Sequence, residues 1–573
     1  MIKTLKHIFY YVVVAMTLNS CANVVSPTGG PKDNIPPIVL SENPVNQSCN
    51  FSNNIIHINF DEYVTLDNPN NKILISPPLN EKPEYKLSSK TLSIKFKEDL
   101  EAGTTYSINF GEAIKDLHEG NIFKDYVYVF STGDIIDTLT LEGQVLKGDN
   151  QAAVEDIFVM LYKDSNDSIP IDSLPFIVKP NYVSKTNKKG QFKFSGLKED
   201  KYLIFALKDN NSNLIYDLPN EEIAFIDSLV APDITRKITI SDSTSYDSTE
   251  VVTETHKNSY TLYSFIKEDS VQRLLKKEIV EEGLLRFAFS YPAQDVKIEI
   301  LEPLADSFNI FKTHSSNYDT ILWYFTPNKD SLYLSINYDT LVNDTSMMSL
   351  KIRKTDRRRK QSDVAKRLNI STNIVGGKLK PEQELILSFK EPITDLKMRD
   401  TTWFITSKDT ILEGIEFVKI DSFGLRYKLN KKFNPEESYK LIIPDSVFYS
   451  FKGTTNDTTE FSFSIPELSS YGNIFVSVEF PDDVPQLVIE LLDENDKVQE
   501  RQIIRESTKI AFKYLSPKKY KLRALLDKDS NARWSPGDFG KKQLPESIIY
   551  HKDIFDVKAN WDIDLEESWK PSL

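Results

Sequence analysis

Acidic and amide side chains recur at alternate positions in two distant stretches of this 573-residue chain. The first stretch is "ALKDNNSNLIYD" and the second, far down the chain, is "ALLDKDSNARWSPGD". Calcium prefers oxygen ligands that a tight loop supplies at alternate positions and completes with a carboxylate. The ligands offered to such an ion are Asp209, Asn211, Asn213 and Asp217 in the first stretch, and Asp527, Asp529, Asn531 and Asp538 in the second. The sequence therefore raises the hypothesis of a structural calcium ion in each loop.

The same phrase has a second interpretation that needs no metal. Asp and Asn side chains bond their own backbone in turns, and loops between strands favour them. Leu214 and Ala532 stand where the sharp turn of a calcium loop has glycine, and Asp538 replaces the usual bidentate glutamate. Both interpretations remain open at the level of sequence.

The start of the chain has the layout of a secretory signal. Lys3 and Lys6 precede an apolar stretch, Ile8–Leu18, that is too short to cross a bilayer. The following "LNSC" resembles a bacterial lipobox, which implies cleavage before Cys21 and acylation of its thiol, and acyl chains anchor a protein to a membrane. The resemblance implies the outer membrane of a Gram-negative bacterium. Surface export of such lipoproteins resembles a rule that requires acidic residues right after the lipidated Cys. Because none follows Cys21 directly, the resemblance favours the periplasmic face over the cell surface.

Asp followed by Ser or Thr and an apolar residue is a third recurring pattern. It resembles the O-glycosylation acceptor sequence of Bacteroidetes periplasmic and surface proteins. Ordinary turn chemistry before a strand explains the pattern equally well. The candidate acceptors are Thr138, Ser168, Ser173 and Thr320.

Other signs of chemistry are few. The sequence contains no HExxH zinc helix, phosphate-binding GxxxxGK[ST] loop or GxSxG nucleophile elbow. The histidines after the signal segment are scattered, and we predict that His551 lies at the surface. If Cys21 carries lipid, Cys49 has no partner for a disulfide, and we predict a half-buried strand position for it. These features predict a protein that is not an enzyme.

The charge balance excludes a further class of partner. The formal net charge is −14 at pH 7, whereas phosphate backbones are bound by clustered Lys and Arg. We therefore predict no nucleic-acid partner. The one basic run, Lys351–Lys360, is either a solvated linker or a docking patch for an acidic partner.

The elements that must position these side chains are short strands. "IHINF" places Ile56, Ile58 and Phe60 on one face of a strand, and such alternation recurs between frequent turn signals. This pattern predicts an all-β chain of tandem β-sandwich modules. The segment Asp269–Glu282 is the exception, because its apolar spacing fits a short helix or a strand equally well.

Two of the modules are predicted to be copies of two others. At one fixed spacing, Tyr106 falls on Tyr439 and Phe130 on Phe463. At a second spacing, Tyr202 falls on Tyr520 and Asp209 on Asp527, so the acidic phrase recurs because a two-module cassette recurs.

The chain is too long for one core, and domains of roughly 100 to 150 residues are expected. The predicted organisation is a lipoprotein signal peptide at 1–20, a Pro/Gly tether at 21–37, an Ig-like domain at 38–133, a transthyretin-like β-sandwich at 138–246, an Ig-like β-sandwich at 258–355, a basic linker at 356–368, a second Ig-like domain at 369–466 and a second transthyretin-like β-sandwich at 470–566.

"PTGGPKDNIPP", "INFDEYV" and "FSTG" resemble the N-terminal domain of Bacteroidetes lipoproteins with a bacterial Ig-like domain of the SbsA type (Big_5). The resemblance covers roughly Pro37 to Gly133 well and Lys380 to Ile465 weakly. Residues 141–243 and 471–565 are similar to transthyretin-like or carboxypeptidase-regulatory-like sandwiches. The family implies a cell-envelope location and interaction modules, and it implies no known catalytic act.

These observations predict a lipid-anchored, non-enzymatic string of modules on the outer membrane that binds or scaffolds an envelope protein or a glycan. Short linkers would project the last module away from the membrane. One alternative is an accessory lipoprotein of a machine that assembles or exports outer-membrane proteins. Another is a carbohydrate-active enzyme with Ig-like spacers, because a glycosidase needs only two suitably spaced carboxylates.

Overall fold

The computed structural model describes residues 33–164, 169–241, 249–256, 258–268, 272–293, 295–302, 310–315, 318–326, 330–338, 343–350, 367–398, 403–406, 411–412 and 416–572. This part of the chain is nearly all β, and it confirms tandem β-sandwich modules. Its helices are the α-helices α1 (Pro69–Lys72) and α2 (Leu174–Ile177) and three 3-10 turns, Ile171–Ser173, Leu468–Ser470 and Phe539–Lys541. None of the helices described has the length and apolar character needed to span a membrane.

Module 1 is a sandwich whose core is filled by alternate residues of its strands. Ile56, Ile58 and Phe60 have no exposed surface, as the alternation in the sequence predicts. The sheets have the strand orders β1-β2-β6-β5, β4-β7-β9 and β3-β8. The strands are β1 (Val39–Asn43), β2 (Ile55–Phe60), β3 (Val64–Leu66), β4 (Leu74–Ser76), β5 (Glu84–Ser88), β6 (Thr91–Lys95), β7 (Thr105–Asn109), β8 (Ile114–Asp116) and β9 (Val127–Ser131).

Module 2 is built on a sheet with the strand order β12-β11-β14-β15-β18-β10-β13, in which β10 and β18 are parallel. A separate hairpin, β16-β17, precedes β18. The strands are β10 (Leu139–Lys147), β11 (Phe158–Lys163), β12 (Tyr182–Lys185), β13 (Gln191–Leu197), β14 (Tyr202–Leu207), β15 (Glu222–Phe225), β16 (Ile234–Ser241), β17 (Thr249–His256) and β18 (Ser259–Ile266).

Module 3 pairs the sheets β19-β20-β23-β22 and β21-β24-β25 around a core that contains Trp323. Leu274–Glu281 is the strand β19, so the described part of the ambiguous segment is a strand and not a helix. The strands are β19 (Leu274–Glu281), β20 (Leu284–Phe289), β21 (Lys297–Ile300), β22 (Ile310–His314), β23 (Thr320–Phe325), β24 (Ser331–Asn337) and β25 (Asn343–Ser349).

Module 4 repeats module 1 strand for strand. Its sheets have the orders β26-β27-β32-β31, β30-β29-β33-β35 and β28-β34, and β30 is the one added strand among the described residues. The strands are β26 (Ile370–Thr372), β27 (Ile386–Phe389), β28 (Ile393–Leu396), β29 (Trp403–Thr406), β30 (Ile411–Leu412), β31 (Phe417–Lys419), β32 (Arg426–Leu429), β33 (Ser438–Ile443), β34 (Phe448–Ser450) and β35 (Thr459–Ser464).

Module 5 repeats the topology of module 2. The order β38-β37-β40-β41 corresponds to β12-β11-β14-β15, and the order β39-β36-β43, with β36 and β43 parallel, corresponds to β13-β10-β18. The strands are β36 (Gly472–Val478), β37 (Gln486–Asp493), β38 (Val498–Ile504), β39 (Thr508–Leu515), β40 (Lys519–Asp527), β41 (Ile548–Tyr550), β42 (Phe555–Asp556) and β43 (Asp562–Asp564).

Strand β18 corrects one predicted boundary. The predicted boundaries end the second module at 246 and begin the third at 258, but β18 pairs with β10 and β15 of module 2. Alternation identifies Ser259–Ile266 as a strand without indicating which sheet receives it. The hairpin between β15 and β18 separates the strand from its own module along the sequence.

Module 5 does not project away from the rest of the chain, in contrast to the expected string. Its Phe539 is 3% exposed and packs on module 2, with ring centroids 4.8 Å from Phe205 and 5.0 Å from Phe225. Lys267 of the segment after β18 forms an ion pair with Asp538 at 3.0 Å. Modules 2 and 5 therefore lie side by side.

Candidate functional site

The second acidic loop begins at the end of β40, where Asp527 has no exposed surface. The carboxylate of Asp527 accepts hydrogen bonds from the backbone N–H groups of Asn531 at 3.2 Å and Ala532 at 2.8 Å. The side-chain amide of Gln486 donates a further bond to it at 2.6 Å. Because burial of an unpaired carboxylate is costly, these donors are what allow Asp527 to lie inside the module.

The first acidic loop has the same backbone hydrogen bonds just after β14, although its Asp209 is half-buried. Asp209 accepts hydrogen bonds from the backbone N–H groups of Asn213 at 3.3 Å and Leu214 at 2.8 Å. Leu214 and Ala532 adopt the left-handed region, with φ of 60° and 58°, where glycine is the usual residue. The aspartate therefore stabilises a strained turn in both copies. This is the role that the interpretation without a metal gives to the repeated phrase.

A buried glutamate completes each loop. Glu221 and Glu222 stand just beyond the first acidic phrase in the sequence, but the correspondence of Glu221 with Glu546 was not predicted. Glu221 accepts the backbone N–H of Asn210 at 3.0 Å, and Glu546 accepts those of Lys528 at 2.7 Å and Ser535 at 3.0 Å. Both glutamates are at most 5% exposed. An insertion in the second loop breaks the fixed spacing between the copies, so the spacing that matched the aspartates could not match the glutamates.

Three carboxylates of the second loop come close enough to share a cation. Ligand oxygens of Asp527, Asp529 and Glu546 all lie within 4.8 Å of one another. Burial raises the pKa of Glu546, and the charges of Asp529 and Asp527 raise it further, while its backbone hydrogen bonds oppose the shift. Asn531 lies beside this group, because its amide donates to Asp529 at 2.9 Å. Calcium binding at this group stays a prediction.

Asp538, the proposed last ligand of the second loop, has other partners. Its carboxylate binds Lys267 at 3.0 Å and accepts the backbone N–H of Gly540 at 3.0 Å. Asp538 therefore belongs to the contact between modules 5 and 2. Glu546 occupies the place in the loop that the spacing had given to Asp538.

The candidate ligands of the first loop lie together but bond one another. Asp217 accepts hydrogen bonds from the side-chain amides of Asn211 at 2.9 Å and Asn213 at 2.8 Å. Asn211 also donates its backbone N–H to Asp209 at 3.2 Å. N–H groups of the loop itself therefore already bond both carboxylates that a cation would use.

The candidate glycosylation residues have different surroundings. Thr138 is exposed just before β10, whereas Ser173 is half-buried at the end of a 3-10 turn. Thr320 is half-buried within β23, where its hydroxyl donates to Asp319 at 3.0 Å. Ser168 lies outside the described residues. Among the described candidates only Thr138 is exposed, and glycosylation of any of them stays a prediction.

The cysteines and His551 complete the predicted set. Cys21 lies outside the described residues. Cys49 is exposed in a bend and not half-buried in a strand. The His551 side chain is 5% exposed, not at the surface, because it packs between the rings of Phe555 and Trp569 with centroids 5.2 and 5.4 Å away.

Comparisons with known proteins identify one domain. The family described as Bacterial Ig-like domain (Big_5) matches residues 33–132. No match was found among curated protein sequences. Among solved structures, the N-terminal part of the bacterial S-layer protein SbsC is 15% identical with a TM-score of 0.13, and the match covers 33% of this chain and 40% of that one.

A longer SbsC structure is 11% identical with a TM-score of 0.13, over 87% of this chain and 64% of that one. The Bacteroides ovatus protein SGBP-B of a mixed-linkage glucan utilization locus, solved with a mixed-linkage heptasaccharide, is 8% identical with a TM-score of 0.18, over 72% and 94%. This chain thus spans less than two thirds of both S-layer structures. At such scores the matches carry no argument about function, and the finding that stands is that residues 33–132 form a bacterial Ig-like domain.

Proposed function

We propose that this protein is a non-enzymatic lipoprotein of the outer membrane, attached through Cys21, that serves as a binding or scaffold protein of the cell envelope. An Ig-like domain and an all-β architecture fit such a role. The partner is an envelope protein or a glycan, and the loops at the sandwich ends are the contact surfaces.

The observation that carries the proposal is that the polar side chains shared by the duplicated modules bond the backbone of their own module. Asp209 and Asp527 occupy equivalent places, and both bond the backbone of their own loop. Tyr106 and Tyr439 likewise accept the backbone N–H five residues upstream, at 2.9 and 2.8 Å. The copied polar groups hold the framework, whereas catalytic groups must be placed within reach of a substrate. A duplicated framework supports presentation of binding surfaces.

Membrane attachment is tested by comparing the full chain with its Cys21→Ser variant. We expect the unmodified chain to incorporate labelled palmitate and to sediment with outer membranes, and the variant to do neither. Protease treatment of intact cells then determines the face, because a chain on the periplasmic face is protected. Equal membrane association of both chains would contradict the anchor.

The binding role is tested by affinity purification of the tagged lipoprotein from solubilised membranes, followed by mass spectrometry. We expect one envelope protein to copurify reproducibly. The matched control is the same purification with the tagged Cys21→Ser chain, which lacks membrane placement. If no protein copurifies and no envelope glycan binds the purified chain, the scaffold role is wrong.

A further inference from the structure

A groove lies between modules 1 and 2, with the first acidic loop as one of its walls. It consists of two cavities, of about 360 Å³ and about 780 Å³, which share Asn71, Leu74, Asp156 and Lys185 in their linings. Pockets for small ligands commonly have volumes of ≈ 300–1,000 Å³ and form at domain boundaries. The groove therefore has the size and the place of a ligand site.

The smaller cavity has apolar residues on both sides, beside charged lining residues that include Lys82, Lys208 and Asp209. Module 1 contributes Ile73, Leu79 and Tyr85, and module 2 contributes Phe158 and Leu214. Leu214 is the residue whose left-handed conformation Asp209 supports, so the acidic loop shapes this wall. An apolar cavity at a domain boundary favours the burial of an apolar ligand group, because that group leaves water.

The larger cavity is polar, and its lining carries five lysines and four carboxylates. Its charged lining residues are Lys72, Lys124, Lys185, Lys188, Lys189, Glu112, Asp125, Glu155 and Asp156. Lys72 and Lys185 are already paired, with Asp67 at 2.7 Å and Asp156 at 2.9 Å. The cavity thus provides cations in a chain whose net charge is −14.

Lys124 also has an ion-pair partner, Glu112 at 4.0 Å, which leaves Lys188 and Lys189 as the cations for a ligand. Both are exposed on the turn between β12 and β13, and neither forms an ion pair with any of the described residues. Asn187 fixes this turn, because its side chain accepts the backbone N–H groups of Lys189 at 2.9 Å and Gln191 at 3.0 Å. A rigid turn therefore presents two adjacent ammonium groups at the polar end of the groove.

We propose that this groove binds an amphiphilic anion, whose acyl or similarly apolar part enters the smaller cavity while its phosphate or carboxylate faces Lys188 and Lys189. Ammonium groups bind such oxyanions through charge-assisted hydrogen bonds. The inference names a ligand class for the binding role and rests on that proposed function.

The test uses the full chain with Cys21→Ser, so that neither an acyl group nor a detergent competes for the groove. The ligands for calorimetric titration are dodecyl phosphate, dodecanoate, dodecanol and inorganic phosphate, all below micellar concentrations. Comparing them distinguishes the contribution of the anionic headgroup to binding from that of the alkyl chain. We expect both anions to bind, dodecanol to bind at least tenfold more weakly, and inorganic phosphate alone not to bind. Equal affinities for dodecanol and dodecyl phosphate, or no binding of either anion, would overturn the inference.

Two variants locate the site. Lys188→Glu with Lys189→Glu should weaken dodecyl phosphate binding at least tenfold without changing dodecanol binding, and Asn71→Trp should weaken both by filling the junction of the cavities. The control, Lys193→Glu with Lys201→Glu, makes the same charge change at exposed positions that line neither cavity. If the control weakens binding as much as the first variant, only general charge is involved and the proposed site is wrong.

The source of the anion is determined with vesicles that contain or lack phosphatidylglycerol. Flotation with the anionic vesicles identifies a membrane lipid as the source, whereas binding of the monomeric anions alone identifies a soluble amphiphile. Both results support the site. A chain that retains its envelope partner but binds no amphiphile overturns this inference and leaves the proposed function standing.

Discussion

Asp527 and Asp529 stand two positions apart, yet their carboxylates have different surroundings. Asp527 is buried and accepts backbone hydrogen bonds, whereas Asp529 is exposed and bonds the side chains of Asn531 at 2.9 Å and Ser535 at 2.7 Å. Asp527 is thus a structural carboxylate of the second loop, and Asp529 is a carboxylate that solvent can reach. The difference makes the two residues a matched pair for mutation.

Asp527→Asn should destabilise module 5 by about 1–3 kcal/mol, because an amide nitrogen replaces an acceptor and leaves a buried N–H unpaired. Asp529→Asn should change the free energy of unfolding by less than about 0.5 kcal/mol, as exposed substitutions do. Urea unfolding followed by Trp fluorescence measures both. Equal effects would contradict the structural role of Asp527. If calcium binds here, it raises the midpoint of the unmodified chain, and Asp529→Asn reduces that increase.

His551 predicts a pH dependence. Burial lowers the pKa of its imidazole, and the neighbouring carboxylate of Asp553 opposes this shift only in part. The unfolded chain then binds the proton more readily than the folded chain, so this stability contribution is present above the unfolded pKa of about 6.5 and is lost as pH falls toward the lower folded value. Unfolding midpoints measured from pH 7.5 to pH 5 should fall faster in the unmodified chain than in His551→Phe. Parallel curves would contradict this prediction.

At the scale of elements, equivalent strands carry equivalent tyrosines. The hydroxyl of Tyr202 at the start of β14 donates to the backbone carbonyl of Lys198 at 2.9 Å, and Tyr520 at the start of β40 donates to that of Ser516 at 3.0 Å. Each bond spans the turn that joins two strands. The two copies therefore share the same strand order and also the same tyrosine hydrogen bond across a turn.

Tyr202→Phe and Tyr520→Phe should each destabilise the protein by about 1 kcal/mol, because each loses one hydrogen bond while the ring stays packed. The control is Tyr333→Phe on β24, whose side chain is half exposed. Denaturant midpoints of the three variants measure the effect. A shift confined to one of the two copies would show that the two turns are not equivalent.

At the scale of the whole molecule, modules 2 and 5 close on each other. Phe539 of module 5 enters the aromatic cluster of module 2, and Lys542 forms an ion pair with Asp172 at 2.5 Å beside it. Modules 3 and 4 also touch, since Lys452 donates to the backbone carbonyl of Glu282 at 2.9 Å. A chain that returns to its second module is more compact than a string of the same modules.

Phe539→Ala should separate modules 2 and 5, because loss of a buried phenylalanine ring costs about 3–5 kcal/mol and here the loss falls on a contact between modules. We expect the radius of gyration from small-angle scattering to rise while each module stays folded. Trp561→Ala, at a side chain 61% exposed on module 5, is the control. Identical scattering from Phe539→Ala and the unmodified chain would contradict the role of this contact.

The sequence by itself determined the sandwich class, the repeated cassette and the equivalence of Asp209 with Asp527. Each depends on spacing that a strand or a turn imposes locally, either the alternation of buried side chains or a fixed interval between copied residues. Spacing along a chain is preserved on folding, so these inferences needed no coordinates.

Only the tertiary structure decided which sheet receives β18, why Glu546 and not Asp538 completes the second loop, and that a groove separates modules 1 and 2. These features join residues far apart in sequence, and their partners are chosen by the packing of whole modules. Lys267 and Asp538 illustrate the reason: the pair forms only because Phe539 brings module 5 against module 2, and no local pattern encodes that contact.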